Sequence, residues 1–110
     1  MKVHTSYEVS KRLKEFMGES APEPIIPLTY TGDGDGPYPQ VIGGIFPSPC
    51  YQIHDLISKP FCEAMEKASA QSKGCLVWKY ILCEKLASAY FNDGLPAVEA
   101  ALMKMMDKEK

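Results

Sequence analysis

Proline and glycine set the length of every regular element this chain can form. Proline lacks the backbone donor, and glycine ends helices at little cost. Pro22, Pro24, Pro27, Pro47, Pro49 and Pro60 crowd the first part of the sequence, whereas residues 61–110 carry only Pro96. Each of these residues acts as a boundary for the patterns between them.

Ahead of the first boundary, Thr5-Ser6-Tyr7-Glu8 matches a capping box with Thr5 as N-cap. Val9, Leu13, Phe16 and Met17 follow on one apolar stripe, and Gly18 is a natural stop, so a helix is predicted over 6–17. Pro22 and Pro24 hold the exit extended. Ile25 to Tyr30 then reads as a strand, confined to an edge because Pro27 cannot donate to a ladder. Thr31 to Gly36 is a turn cluster and Tyr38 to Phe46 a second strand, which together predict a hairpin, with a bulge or an early end at Gly43-Gly44.

Ser48 and Pro49 fit the N-cap and first position of a helix whose apolar face is Ile53, Leu56 and Ile57. Pro60 either kinks that helix or starts another through Phe61, Ala64, Met65 and Ala68, ending at Gly74. From Cys75 to Glu84 the sequence alternates: Leu76, Trp78, Tyr80 and Leu82 on one face, Cys75, Val77, Ile81 and Cys83 on the other. Both faces are apolar, which predicts a central, doubly covered strand. Leu86 to Asn92 fits a further strand or, through the i+4 recurrence of Leu82, Leu86 and Tyr90, a helix. Beyond Asn92-Asp93-Gly94, Pro96 opens a helix carrying Val98, Ala101, Leu102, Met105 and Met106.

The expected architecture is therefore one α+β domain over 1–110, ordered α-β-β-α-β-(β)-α, with an antiparallel-type sheet of three or four strands and helices packed on it. Its composition, 45% hydrophobic and 24% charged, is that of a globular chain and not of a disordered one. No apolar run approaches a membrane span, and the N-terminus has no apolar signal core, which points to the cytoplasm.

The net charge of −2 and the single arginine, Arg12, argue against a phosphate-binding surface, which needs clustered Lys and Arg. Cys50, Cys62, Cys75 and Cys83 contain no C-x-x-C pair, so no zinc ribbon or dithiol motif is visible and the thiols read as small core residues. Asp33-Gly34-Asp35-Gly36 fails as a calcium loop because Pro37 and Gly44 occupy ligand positions. Cys50 and His54 would share a helix face and, with Asp55 or Cys62, make a partial metal site, but zinc lacks its remaining ligands and a nucleophile pair lacks an orienting group. Trp78, Tyr80, Tyr90 and Phe91 could stack on bases, yet they lack the basic groove such binders use and read mainly as core. The remaining candidate is a partner surface at Met103, Met105 and Met106, where three adaptable thioethers crowd one turn.

The opening Ser10-Lys11-Arg12-Leu13-Lys14-Glu15, the segment Tyr51-Gln52-Ile53-His54-Asp55-Leu56-Ile57 and the stretch from Trp78 into Leu95-Pro96-Ala97-Val98-Glu99-Ala100-Ala101-Leu102 resemble small uncharacterised α+β proteins of phages and prophage-like elements. The resemblance implies a bacterial, mobile-element setting and assigns no activity, cofactor or site residue. The functional expectation is a non-enzymatic accessory or interaction protein. It would bind a protein partner or itself through the Pro27 edge strand or the methionine-bearing helix, with no cofactor. The alternative is a nucleic-acid or ligand-binding module built on the hairpin and the aromatic strand.

Overall fold

The computed structural model describes residues 3–26, 29–31, 38–40 and 48–108. It corrects the α+β expectation: the chain is predominantly helical, and its core is helix packed on helix. The helices are α1 (Tyr7–Met17), α2 (Ile53–Leu56), α3 (Lys59–Ala68), α4 (Trp78–Asp93) and α5 (Leu95–Asp107). Among the described residues the strands are β1 (Thr29–Thr31), β2 (Tyr38–Gln40) and β3 (Ser48–Pro49). β1 pairs antiparallel with β2 over three positions and with β3 over two. β1 therefore lies between two neighbours instead of at an edge. Pro27, the turn at 32–36 and Gly43-Gly44 lie outside the described residues.

α1 starts one residue later than its capping box predicts. Ser6 caps it by accepting the Val9 amide at 3.4 Å, while Thr5 is withdrawn into the interior. The Thr5 hydroxyl shares a 2.6 Å hydrogen bond with Ser10 and accepts the Tyr51 amide at 3.1 Å. The Thr5 amide in turn donates to the Tyr51 carbonyl at 2.8 Å. These bonds fasten the start of α1 to the segment after β3, so burial of Thr5 satisfies groups that would otherwise be stranded. The stripe itself behaves as its spacing requires: Val9, Leu13 and Met17 are buried, and Phe16 packs against the core.

Ser48-Pro49 opens no helix, because both residues are committed to β1. α2 begins at Ile53 instead, with Gln52 and Asp55 forming the capping box. Ser58 then caps α3, accepting the Phe61 amide at 3.5 Å, and Pro60 sits in the first turn where no donor is needed. Of the two roles open to Pro60, it starts a new helix.

The larger correction concerns residues 75–92. Neither strand exists: Cys75–Val77 lie in a turn and the rest is the sixteen-residue α4. Leu82 and Leu86, four apart, are its buried residues, and Trp78, Cys83 and Ala89 pack against the core beside them. The alternation was misleading because apolar residues stand on all sides of this segment, so a period of 2 fits as well as one of 3.6. Local capping gives no sign of the helix either. Its N-terminus is held from α3, where the Glu66 carboxylate accepts the Lys79 amide at 3.2 Å.

Gly94, with φ 82° and ψ −171°, is the whole connection between α4 and α5. Its amide closes α4 on the Tyr90 carbonyl at 2.9 Å. One core cluster runs through α1, α2, α3, α4 and α5, with Leu13, Leu56, Phe61, Leu86 and Leu102 among its members. Among the described residues, no helix is long and apolar enough to cross a membrane.

Candidate interaction surface

The methionines proposed from sequence as a partner site pack within the chain. Met106 is buried, and Met103 and Met105 lie partly buried against the core. Arg12 crosses from α1 to close this end of α5. One guanidinium nitrogen lies 3.6 Å from the Met103 sulfur, and another pairs with the Asp107 carboxylate at 2.7 Å. Met103 thus touches the α1–α5 seam, while Met103 and Met105 keep part of their surface open.

Cys50 and His54 have separate surroundings. Cys50 is fully buried, 3.9 Å from the Thr5 carbonyl, and burial raises its thiol pKa against the opposing effect of its bond with Tyr30. Tyr30 donates its hydroxyl to the same Thr5 carbonyl at 2.7 Å, and burial followed by the neighbouring Cys50 raises its pKa also. His54 instead lies 3.8 Å from the Asp55 carboxylate on α2. Asp55 is committed to backbone, accepting the amides of Gln52 and Ile25, each at 2.9 Å. Among the described residues no three His, Cys, Asp or Glu side chains converge on a point that could hold a metal ion.

Cys62 and Cys83 meet between α3 and α4 and line a cavity of about 240 Å³ together with Ile57, Ser58, Lys59, Lys79 and Tyr80. The Cys83 thiol donates to the Ile57 carbonyl at 3.1 Å, and Cys62 lies 3.8 Å from the Leu56 carbonyl. Burial, then the neighbouring Cys83, pushes the Cys62 thiol up to about 12. A thiol held protonated at neutral pH is a poor nucleophile and a poor metal ligand. The rim is ionic: Lys79 pairs with Glu63 at 3.3 Å, which raises the Lys79 pKa.

The anomaly of the molecule is the other side of α4. Tyr80 is 64% exposed, Ile81 54% and Phe91 89%, and the preceding turn adds Leu76 at 93% and Val77 at 53%. At about 100° per residue, Val77, Ile81, Glu84, Ser88 and Phe91 fall on one seam with steps of four, three, four and three. Tyr80 and Ala87 flank it. A helix apolar all round is normally covered all round. Here α3 and α5 cover one side, and the side opposite Leu82 and Leu86 faces solvent. The sequence reads Trp78, Tyr80, Tyr90 and Phe91 as mainly core with one of them exposed; the structure leaves Tyr80, Tyr90 and Phe91 exposed, and the surface they mark is not visible in that reading. The signal was present in the segment's two apolar faces, once the segment is read as a helix with neighbours on only one side.

Comparison with protein-family models, with curated proteins and with solved structures returned no match. The functional reading therefore rests on the surface of this chain.

Proposed function

We propose that this chain is a non-enzymatic accessory protein that acts by binding another protein through the exposed apolar face of α4. The observation that carries this reading is the run of Leu76, Val77, Tyr80, Ile81 and Phe91 left uncovered on one side of a helix whose other side is core. Large apolar surface on a small protein costs solubility and is characteristically kept for an interface. The resemblance of the sequence to phage and prophage proteins supports placing this activity in the bacterial cytoplasm, within a mobile element.

The test is site-specific photocrosslinking in a bacterial lysate, with a benzophenone side chain at Phe91 and, as control, at the exposed Glu15 of α1. One protein crosslinked from position 91 alone, resistant to nuclease and lost in an Ile81→Lys background, is the expected result. Equal products from both positions, or retention that nuclease abolishes, would overturn the reading; the nuclease-sensitive result would favour nucleic-acid binding.

A further inference from the structure

We infer that the partner of this face is a second copy of the chain, with α4 packed antiparallel on its twin across a two-fold axis near Glu84 and Lys85. The inference rests on the interaction reading above and names its occupant from the pattern of the face itself.

The first argument is shape. The N-terminal half of the seam is bulky (Val77, Tyr80, Ile81), whereas its C-terminal half is small (Ala87, Ser88) before ending in Phe91. Antiparallel pairing about a centre between Glu84 and Lys85 sets the bulky half of each helix over the small half of the other and brings Ile81 over the partner's Ser88. Parallel pairing would stack Tyr80 on Tyr80 and Ser88 on Ser88, leaving one layer overfilled and another empty. A two-fold interface must be self-complementary in this sense.

Charge gives the second argument. Glu84 lies on the seam and Lys85 flanks it 100° round the helix; both are exposed and sit midway along the face, so the long Lys85 side chain reaches its edge. An antiparallel pair centred between them places each Glu84 against the partner's Lys85, so the contact occurs twice. A parallel pair would oppose Glu84 to Glu84 and incur like-charge repulsion.

Area is the third. Tyr80 and Phe91 leave most of their surface open, and an aromatic side chain buries roughly 150–250 Å² when covered. With Leu76, Val77 and Ile81 each protomer offers on the order of 500 Å², so pairing buries about 1,000 Å², the lower bound for a specific contact. The dimer expected is one that dissociates on the order of micromolar concentration.

Sedimentation velocity on the full chain across the micromolar range, with folding of every variant checked by circular dichroism, provides the test. The wild type is expected to pass from monomer to dimer, and Ile81→Glu to remain monomeric over the same range. Glu84→Lys and Lys85→Glu should each weaken the dimer by roughly three- to tenfold, since each replaces two attractive contacts with repulsive ones. The double charge swap should restore it, which only a cross-paired arrangement permits.

A dimer indifferent to Ile81→Glu would overturn α4 as the interface. A dimer lost in both single swaps and unrestored by the double swap would overturn the antiparallel geometry. A wild type that stays monomeric throughout would overturn self-pairing altogether. The benzophenone at position 91 then separates the two readings: crosslinking to a different protein leaves the interaction reading standing, and no position-specific crosslink removes both.

Discussion

Alanine substitution along α4 discriminates the helix from the strand that its sequence suggests. On a strand, Leu76, Tyr80 and Leu82 share a face and would be similarly sensitive. On the helix, Leu82 and Leu86 are 5% and 1% exposed, whereas Tyr80 is 64% exposed and Leu76 93%. Leu82→Ala and Leu86→Ala each remove a buried isobutyl group and leave a cavity, at about 2–5 kcal/mol. Tyr80 keeps about a third of a burial worth roughly 1.5–3 kcal/mol, so Tyr80→Ala costs under about 1 kcal/mol, and Leu76→Ala less. A domain of this size has roughly 5–15 kcal/mol of stability in all, so the leucine variants are crippled and the other two are near wild type. The assay is urea unfolding followed by far-ultraviolet circular dichroism, at a protein concentration low enough that dilution does not move the midpoint. With a slope of about 1–3 kcal/mol per molar urea, the leucine variants should unfold about 1–3 M earlier. A Tyr80→Ala midpoint shifted as far as that of Leu82→Ala would refute the helical assignment of this face.

Gly94→Ala should cost about 1–3 kcal/mol in thermal unfolding. A φ of 82° with ψ of −171° is essentially confined to glycine, while the added Cβ meets only the Pro96 ring at 3.7 Å; an unchanged midpoint would sink this argument. Asp55→Ala leaves the part-buried amides of Gln52 and Ile25 without their acceptor and should cost about 1–3 kcal/mol, with Asp55→Asn in between; denaturant titration reads both. Stability should fall with alkalinity. Burial raises the Cys62 pKa to about 12 in the folded chain, so the unfolded chain loses this proton first, from its ordinary value of 9.0 upward. Folding therefore weakens from about pH 9 as pH rises, by about 1.4 kcal/mol per pH unit for this group, and Cys62→Ala should flatten the slope. Under native conditions iodoacetamide should label the partly buried Cys75 and Cys83 ahead of the buried Cys50 and Cys62, as mass spectrometry of peptides will show; labelling of Cys62 at the rate of Cys75 would contradict the α3–α4 packing.

What the sequence made legible was local and singly covered. The stripe Val9, Leu13, Phe16, Met17 has one apolar side, a polar opposite side and Gly18 at its end, so only one period fits it. The last helix, from Pro96 through Met106, is legible for the same reason. Thr5 was misassigned by a single residue because the competing use of its hydroxyl, the Tyr51 amide, lies 46 residues away. Ser48-Pro49 has strong helix-starting chemistry and still forms extended structure, because pairing with Thr29 and Tyr30 uses those backbone groups first. Asp55 was noticed only as a possible companion to Cys50 and His54; its real work, on the Ile25 amide 30 residues upstream, leaves no local mark. The partner surface expected at Met103, Met105 and Met106 rests on thioether adaptability; Met106 is buried and Arg12 lies against Met103, whereas Met103 and Met105 keep part of their surface open.

The misreading of residues 75–84 and the proposed function have one physical origin. A segment apolar on both sides reads as a strand covered on both sides, and the premise holds: such a segment demands two covers. The structure supplies one, from α3 and α5, over Leu82 and Leu86. The demand for the other does not disappear when the strand becomes a helix. It passes to Val77, Tyr80, Ile81 and Phe91, which no described part of this chain covers. Were those residues scattered, their exposure would need no explanation, since much of any protein surface is apolar. They are instead in register at coiled-coil spacing, with the bulky and small halves and the two central charges disposed to match their own reversal. That ordering has no use in a monomer, and it is the reason the second cover is sought in another copy of the chain.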